Sequence, residues 1–378
     1  MRQGRRIDRV RRGDGYRRST PPAAAIRYYP VSTEPAAKMD PKASILIVGS
    51  AAPTSLESSY LRAFREAGFS RSRMFDVSRY RPWAYASSLA AKLKARVQAA
   101  AAPHLVGRAL ARHLTLSCYD LVIVFKGQDL TREALLECRA RSKGAKWANI
   151  NPDDPFNPDR TASNDRVRAC ISEFDWYFIW SRRLVERLLV AGARCPLYLP
   201  FGYDPSLHAP CEEELEPSLV TFVGAWDPRR ERQLARLAHF NLRIHGAAWE
   251  RIATASPLAG RIGKGTLHGP GFARVVARSL LSLNLYRPQN AGAHNMRSFE
   301  IPAMRGCMLS DRSAEQDEFL PEGRGCLAFG SDDEMVDQVE RALRFPGEAL
   351  RIRTQARSLI EPHRYGARAA CVLAAVGL

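Results

Sequence analysis

The strongest constraint on this fold is an alternation of short apolar runs with amphipathic helical patterns, repeated in two successive series. The first series opens with Ile45–Ser50, an apolar run that ends in Gly and Ser, and a helical pattern over Leu56–Ala67 follows. A short apolar run bounded by turn residues indicates a strand buried on both faces. Strands that alternate with helices favour a parallel sheet with helices on both sides. The pattern therefore predicts an α/β fold with doubly wound sheets.

The remaining predicted elements fall into the same two series. Further strands of the first series are predicted at Met74–Val77, Leu121–Phe125, Trp147–Asn151, Trp176–Trp180 and Leu197–Pro200, with helices such as Thr131–Ala140 and Arg182–Ala191 between them. The second series predicts strands at Leu219–Val223, Asn241–His245, Leu280–Leu285, Cys307–Ser310 and Leu327–Phe329. Its predicted helices are Pro228–Ala238, Ser298–Met304, Asp332–Leu343, Leu350–Ile360 and Tyr365–Ala375.

An acidic, proline-containing segment, Pro205–Pro217, separates the two series. The 378 residues of the chain exceed what one ordinary core supports, so two domains of roughly 150–180 residues are expected. We therefore predict Rossmann-like domains at 44–210 and 211–362, and a terminal helix over 363–378.

Residues 1–43 precede the first strand, and we predict that they form a disordered basic leader. Residues 1–38 hold ten Lys and Arg against three acidic residues, without a periodic apolar pattern. One interpretation is an arm that binds nucleic acid or a membrane. The other, which we favour, is a segment with little role of its own, since translation from Met39 would still give both domains.

Composition limits the class of protein. Hydrophobic residues make up 46% of the chain, and no window approaches the roughly 18 uninterrupted apolar residues that a membrane span needs. The eight cysteines are scattered without a CxxC pair, so we interpret them as reduced thiols and expect a cytoplasmic protein. The net charge of +18 suits an anionic partner, whether nucleic acid, an acidic membrane surface or a phosphorylated ligand.

A basic stretch runs from Ser78 to Tyr119 without any acidic residue, and its Lys and Arg over 79–112 alternate with apolar side chains. One interpretation is an amphipathic pair of helices on an anionic membrane, which would make the protein peripheral on the inner membrane face. The other is an ordinary solvated basic face, with the apolar residues in the core. The sequence leaves both open.

Basic side chains follow the first predicted strand of the second domain. In a doubly wound sheet, ligands bind at the carboxyl ends of strands, near helix N-termini. Gly224 would let the backbone approach a ligand, with Trp226 close behind it. Arg229 and Arg230 begin the next predicted helix, where a guanidinium and the helix dipole both favour a diphosphate. The same arginines could also be ordinary surface residues.

A further strand end leads into the segment Asn295–Gly306 (NMRSFEIPAMRG), which we predict to be a ligand-binding site. The candidate binding residues around it are Tyr286, Asn295, Arg297, Ser298 and Glu300. Glu300 falls in the first turns of a predicted helix, where a carboxylate can accept both hydroxyls of a ribose. The alternative is a helix in which Glu300 compensates the dipole.

Strand ends of the first domain carry the other candidates. These are Gly49, Ser50, Lys126, Gly127, Asp153 and Asp154, all expected to face a cleft between the domains. Asp153 and Asp154 could serve as a general base, hold a metal or form a turn before Pro155. Two adjacent acids without other oxygen ligands make a poor metal site, so we predict none.

Several segments, in the same order, resemble the CgeB-like (spore maturation protein) glycosyltransferases. They are FKGQDL at 125–130, NPDDPF at 151–156, FDWYFIWSRRLVERLLVAGA at 174–193, YLPFGYDPSLHAP at 198–210, FVGAWDPRRERQL at 222–234, NMRSFEIPAMRGCMLSD at 295–311 and HRYGARAACVL at 363–373. The resemblance implies the GT-B fold, in which two Rossmann-like domains face each other across a cleft. It also implies that the first domain binds the acceptor, that the second binds a nucleotide sugar, and that transfer needs neither a metal nor a cofactor.

The resemblance assigns roles to single residues as well. Glu300 stands where related retaining enzymes contact the nucleotide ribose. Their partner glutamate, which contacts the sugar, lies eight residues earlier, and Gly292 takes that place here, so the two-glutamate motif is incomplete. Arg229 or Arg230 stands where such enzymes place a basic residue on the donor phosphates.

The implied activity is that of a hexosyltransferase acting on a glycan, lipid or other cell-surface acceptor, as in polysaccharide biosynthesis. Arg229, Arg230 and Arg297 would stabilise the charge that develops on the leaving diphosphate. Asp154 or Asp153 would orient or deprotonate the acceptor hydroxyl.

Two alternatives stay open. One is a nucleotide-sugar-binding protein without transferase activity, which the missing second glutamate motivates. The other, less favoured, is a nucleic-acid-binding protein, which the charge of +18 motivates, although the folded part holds no nucleic-acid-reading motif.

Overall fold

The computed structural model describes residues 42–80, 89–159 and 162–378, with the backbone alone over residues 89–100. The predicted leader, apart from its last two residues, and part of the basic stretch lie outside the described residues. The predicted α/β fold class is confirmed, because the described chain forms two parallel sheets interleaved with helices.

The first half of the chain builds a six-stranded sheet. Its strands are β1 (Ile45–Gly49), β2 (Arg73–Asp76), β3 (Leu121–Phe125), β4 (Lys146–Asn151), β5 (Trp176–Ile179) and β6 (Pro196–Tyr198). Its helices are α1 (Leu56–Glu66), α2 (Leu89–Leu116), α3 (Arg132–Arg141), α4 (Asp165–Ala169) and α5 (Arg182–Val190). The strand order is β2-β1-β3-β4-β5-β6, and every pair is parallel.

The second half builds a five-stranded sheet. Its strands are β7 (Glu216–Val223), β8 (Asn241–His245), β9 (Ser279–Asn284), β10 (Met308–Asp311) and β11 (Leu327–Phe329). Its helices are α6 (Pro228–Ala235), α7 (Gly269–Arg278), α8 (Arg297–Ala303), α9 (Ala314–Asp317), α10 (Asp332–Arg344), α11 (Pro346–Ile360) and α12 (Tyr365–Val376). The order is β11-β10-β9-β7-β8, again with parallel pairs.

Each sheet has one point at which successive connections leave in opposite directions. In the first sheet this point lies between β1 and β3, and in the second between β7 and β9. Connections diverge there, so a crevice opens outside the carboxyl ends of the two strands. Gly49 is the last residue of β1, and Lys126, Gly224 and Tyr286 follow β3, β7 and β9 directly or within two residues.

One apolar core continues from the first half into the second. It joins β1 and β3 of the first sheet to Phe272 of α7, Phe299 of α8 and Val372 of α12. A separate core fills the second sheet around Phe222, Leu283 and the helices beside it. Because the first core crosses between the halves, the domain boundary after residue 210 stays a prediction.

In its described part after residue 88, the basic stretch forms one long helix, where the sequence suggested a pair. α2 runs from Leu89 to Leu116 with Pro103 inside it. Val106, Leu110 and Leu114 of α2 are buried in the core of the first half. Its described apolar residues are therefore largely core residues, although Leu105 and Leu116 remain exposed.

No helix was predicted from the sequence at the position of α7. Its opening residues, Gly269-Pro270-Gly271, are typical of a loop, yet Pro270 suits the first turn of a helix. No helix in the described part of the chain is long and apolar enough to cross a membrane. All eight cysteines are free thiols.

Candidate functional site

Arg230 is buried at the carboxyl ends of β7 and β9. Asp227 caps α6 by accepting hydrogen bonds from the backbone N–H groups of Arg229 and Arg230, which brings the Arg230 side chain inward. Its guanidinium donates to Leu285 O at 2.7 and 3.1 Å and to Ala225 O at 3.0 Å. Burial lowers the pKa of Arg230 to about 10, with Asp227 opposing that shift. Arg230 thus links two strand ends as well as carrying charge.

Arg230 belongs to a group of cations at these strand ends. The charges of Arg287 and Arg297 both act against its protonated form, so all three lie near one another. Arg229 pairs with Asp311 at 2.8 Å, and Asp311 also accepts from the backbone N–H of Tyr286. Positive charge concentrated at a switch point is suited to an anionic ligand.

Glu300 lies at a cavity between the two halves. The carboxylate is ion-paired with Arg297, and its Oε1 lies 3.5 Å from Nε2 of His208. The cavity has a volume of about 220 Å³. Its walls are Thr54, Leu56, Ser59, Leu207, His208, His268, Gly269, Phe272, Met296, Arg297, Glu300 and Tyr365. The residues come from α1, α7, α8, α12 and the segment that joins the halves, so the cavity needs both halves to form.

The electrostatics of the cavity keep Glu300 ionised. Burial by itself raises the pKa of this carboxyl, but the charge of Arg297, the nearby His208 ring and a hydrogen bond from Arg297 together outweigh burial and hold the pKa below its usual value. Arg297 is fixed in turn, since its Nε donates to Val223 O at 3.2 Å and its guanidinium lies over the Phe272 ring. An ionised carboxylate can accept hydrogen bonds from two neighbouring hydroxyls.

Tyr286 and Ser298 point into an internal polar cluster. The Tyr286 hydroxyl donates to Gln316 Oε1 at 2.5 Å, and the Ser298 hydroxyl donates to the same oxygen at 2.7 Å. Asn295 accepts from the backbone N–H of Ser298 and donates to Asn284 Oδ1 at 2.8 Å. These three predicted site residues therefore shape the turn before α8, and their contacts with a ligand stay predictions.

Gly224 and Trp226 border the same strand end. A Cβ at Gly224 would lie 2.6 Å from the Phe222 ring, so the glycine makes room for that ring. The Trp226 indole donates to Glu231 at 2.7 Å, and the Arg251 guanidinium lies over it.

The first-half candidates Lys126 and Asp153 come together across neighbouring strands. The Lys126 amine lies 2.7 Å from Asp153 Oδ2. Lys126 has φ 61° and Gly127 φ 88°, a tight left-handed turn that glycine tolerates and lysine rarely adopts. Strained turns of this kind are concentrated at functional sites.

Asp154 is engaged within its own loop. Its Oδ1 accepts from the Phe156 N–H at 2.8 Å, and its Oδ2 lies 3.3 Å from Arg187. Near the end of β1, the Glu57 carboxylate accepts from the Ser50 N–H at 3.1 Å and fills the space beside Gly49.

The two sets of predicted residues meet through Gln289. Its amide donates to Asp153 Oδ1 at 3.1 Å, and its carbonyl oxygen accepts from Asn157 at 3.0 Å. The loop that leads to the predicted site segment at 295–306 therefore contacts the aspartate loop of the other half.

Sequence reasoning missed several residues of this site. They are His208, His268, Phe272, Gln289 and Tyr365. His208 lies in the YLPFGYDPSLHAP segment of the resemblance, so that segment could have indicated it as a site residue. Tyr365 reaches the cavity only because of the path of α12. Among the described residues, no group of three or more His, Cys, Asp or Glu is placed to hold a metal ion.

Comparisons with known proteins agree with this architecture. Residues 229–374 match the sequence model of the glycosyl transferase-like family. No curated protein sequence matches the chain.

Solved structures share the fold at low sequence identity. The Anabaena HepE protein in complex with UDP-glucose is 12% identical, with a TM-score of 0.62 over 88% of this chain and 100% of that chain. Sucrose-phosphate synthase from Thermosynechococcus elongatus is 11% identical, with a TM-score of 0.62 over 87% and 97%. The apo structure of OtsA is 14% identical, with a TM-score of 0.59 over 89% and 99%. The chain therefore has the GT-B fold, and its second half carries a glycosyl transferase-like sequence.

Proposed function

We propose that this protein is a CgeB-like glycosyltransferase that moves a hexose from a nucleoside diphosphate to a glycan or lipid acceptor, without a bound metal or cofactor. The observation that carries the proposal is Glu300, an ionised carboxylate that is 2% exposed yet lines a cavity between the halves. Glu300 lies within the glycosyl transferase-like part of the sequence. A buried carboxylate beside a cavity is suited to accepting hydrogen bonds from a bound polar ligand.

The donor would occupy the second half. Its ribose would take the cavity at Glu300, and its diphosphate would lie against the cations at the ends of β7 and β9. Arg297 belongs to both regions, since it pairs with Glu300 and acts on the charge of Arg230. Charge that builds up on the departing diphosphate would be stabilised more strongly than the charge of the bound substrate, which is what accelerates transfer.

The acceptor would enter from the first half. Asp153 and Asp154 are the candidate groups that orient or deprotonate its hydroxyl. The contacts favour Asp153, because Asp154 already caps Phe156 and faces Arg187, whereas Asp153 lies against the second-half loop at Gln289. Lys126 pairs with Asp153 and would hold its carboxylate in place beside the acceptor.

A panel of UDP-, GDP- and dTDP-sugars tests this function directly. UDP-glucose is the first donor to try, because the similar HepE structure contains it. We expect one donor to raise the melting temperature and to be turned over with an acceptor extract, or slowly hydrolysed without one. Loss of both signals in the Glu300→Ala variant would tie the activity to this cavity. Failure of every donor to bind would refute the proposal.

A non-catalytic nucleotide-sugar-binding protein is the second candidate. The observation that favours it is Gly292, which stands where the resemblance expects a second glutamate. One fold hosts both catalytic and non-catalytic proteins, so the fold does not decide between them. Stabilisation by a donor, with neither transfer nor hydrolysis on any acceptor, would favour this candidate.

We also propose a cytoplasmic protein that meets an anionic membrane through α2. Leu105, Arg108, Arg112 and Leu116 are all exposed along the described part of this helix. Apolar and basic side chains on one exposed face are typical of helices at membrane surfaces. In a sedimentation assay, the protein should pellet with phosphatidylglycerol vesicles. The double variant Arg108→Glu, Arg112→Glu should stay in the supernatant. Equal sedimentation of both proteins would contradict this role.

A further inference from the structure

We propose that His208 is a positioning residue, which holds the Glu300 carboxylate in the orientation that binds ribose. The inference rests on the proposed function and adds a residue from outside the second sheet to the donor site. His208 belongs to the segment that joins the halves, in a stretch where the backbone N–H of Tyr203 donates to His363 O. Its Nε2 lies 3.5 Å from Glu300 Oε1.

The hydrogen bonds of His208 fix its tautomer. The backbone N–H of Asp204 donates to His208 Nδ1 at 3.2 Å, so Nδ1 must carry a lone pair rather than a proton. The ring proton then lies on Nε2, on the side that faces Glu300. In a doubly protonated ring, the Nδ1–H group would face the backbone N–H of Asp204, and neither could accept a hydrogen bond. The neutral Nε2–H form is therefore the one that this backbone selects, and it turns an N–H toward Glu300 Oε1, which lies 3.5 Å from Nε2.

Glu300 is held from two sides by groups of different character. Arg297, on the same helix, pairs with one carboxylate oxygen, Oε2, and His208, from the joining segment, faces the other, Oε1. Arg297 alone would leave the carboxylate free to rotate about its pairing. The second contact restricts that rotation, which matters because two ribose hydroxyls need both oxygens in a fixed plane.

The loop that presents His208 is tied to the first half. Asp204 accepts from Ser206 and pairs with Arg62 of α1 at 2.5 Å. A chain of contacts thus runs from α1 through Asp204 and His208 to Glu300. Through these contacts the joining segment sets the orientation of the Glu300 carboxylate. The second half alone does not supply them.

The test compares three variants in binding assays with UDP, or with GDP where the wild type prefers it. His208→Leu keeps the volume and removes the donor, His208→Gln restores an N–H near the position of Nε2, and His239→Leu alters an exposed histidine as the control. We expect His208→Leu to weaken binding about tenfold, His208→Gln to recover most of that loss, and the control to match the wild type. Melting temperatures identify any variant that is merely misfolded.

A modified ligand separates positioning from packing. The 2′,3′-dideoxy form of the same nucleotide lacks the hydroxyls that Glu300 would accept. Its affinity should be nearly the same in wild type and His208→Leu, whereas a general packing defect would weaken both ligands alike. Equal losses for the two ligands, or no loss for either, would overturn the inference while leaving nucleotide binding itself intact.

A second measurement needs no nucleotide. Nitrogen NMR of the imidazole rings should show His208 neutral with its proton on Nε2, and the Glu300→Gln substitution should shift that signal. An Nδ1–H ring, or a signal indifferent to Glu300→Gln, would overturn the inference even if the protein bound no nucleotide. Absence of UDP and GDP binding with the expected ring signal would instead count against the proposed function.

Discussion

Charged side chains are buried at three places that matter to this protein, and each has specific partners. Arg230 donates to backbone carbonyls at two strand ends. Glu300 is ion-paired with Arg297, and its Oε1 lies 3.5 Å from His208 Nε2. Arg368 of α12, fully buried, donates to Phe201 O at 3.0 Å and to His363 Nδ1 at 2.8 Å. A buried charge without partners costs several kcal/mol, so each of these groups is sensitive to losing one.

The Glu300→Ala substitution should weaken nucleoside diphosphate binding by about 1–3 kcal/mol, because the ribose hydroxyls lose their acceptor. Isothermal titration with UDP and GDP measures the change. Glu340→Ala, on the exposed face of α10, is the matched control and should bind as the wild type does. Unchanged affinity in Glu300→Ala would remove this residue from the site.

Arg230→Met should lower the free energy of unfolding by about 2–4 kcal/mol, since Leu285 O and Ala225 O lose their donor in a buried setting. Arg229→Met should cost about 1 kcal/mol or less, because the Arg229–Asp311 pair is partly exposed. Urea unfolding separates the two. A fully stable Arg230→Met protein that no longer binds a diphosphate would show that Arg230 acts as a ligand rather than as a link between strands.

At the scale of elements, the parallel strands and the turns that follow them place different demands on the sequence. β1 and β3 are buried throughout, which explains why their apolar runs were visible in the sequence. The turns after the strands are more demanding. Gly246, after β8, has φ +147°, and a Cβ there would lie 2.0 Å from Gly224 O. The absence of a side chain at Gly246 therefore lets the end of β8 pack closely against the end of β7.

Gly246→Ala should therefore destabilise the protein by about 1–3 kcal/mol, through a strained backbone and a clash with backbone that cannot move aside. Gly347→Ala provides the opposite case, because Gly347 lies in the first turn of α11 with open space around it. It should be neutral or stabilising by up to about 1 kcal/mol. Thermal unfolding of the pair would contradict this account if the two variants behaved alike.

At the scale of the whole molecule, the halves are joined by contacts that neither half makes alone. Glu315 of α9 accepts hydrogen bonds from the Ser181 hydroxyl and the Arg182 N–H, so a carboxylate of the second half caps α5 of the first. α12 returns to the first half, where Tyr365 lies 5.2 Å from Tyr60 of α1, measured between ring centroids. The cavity at Glu300 is a product of this joining.

Buried histidines at the junction make the joined molecule sensitive to acid. Burial and the charge of Arg368 lower the pKa of His363 to about 3, and burial also lowers the pKa values of His208 and His294. The unfolded chain, with a pKa of about 6.5, takes up a proton first as the pH falls. The stability that neutral His363 contributes is therefore complete above about pH 6.5 and is lost progressively below it, toward pH 3.

From pH 7 to pH 5, His363 alone should lower the free energy of unfolding by about 2 kcal/mol. Urea unfolding at the two pH values measures this slope. His363→Asn, whose amide oxygen can still accept from Arg368, should flatten it, and His239→Asn on the surface should not. An unchanged slope in His363→Asn would show that other groups cause the loss of stability between pH 7 and pH 5.

Local pattern was sufficient for most of the fold. Strands buried on both faces and helices with one apolar side repeat along the chain because each element must meet the same packing requirement wherever it lies. The strand ends could be read in the same way, which is why Glu300, Arg230 and Lys126 could be named as candidates. α7 was missed because its Gly-Pro-Gly start is typical of a loop, whereas its packing against β7 and β9 is visible only in the tertiary structure.

Side-chain direction and long-range proximity depended on the tertiary structure. The sequence could not indicate that Tyr286 and Ser298 turn inward to Gln316, because that depends on a residue of a later helix, α9. Nor could it place His208 and Tyr365 beside Glu300, since they are far apart along the chain. The sequence by itself determined the two sheets and the strand ends at which we predict a ligand. Tertiary structure decided which side chains face the cavity there, because burial and pairing across the two halves set those directions.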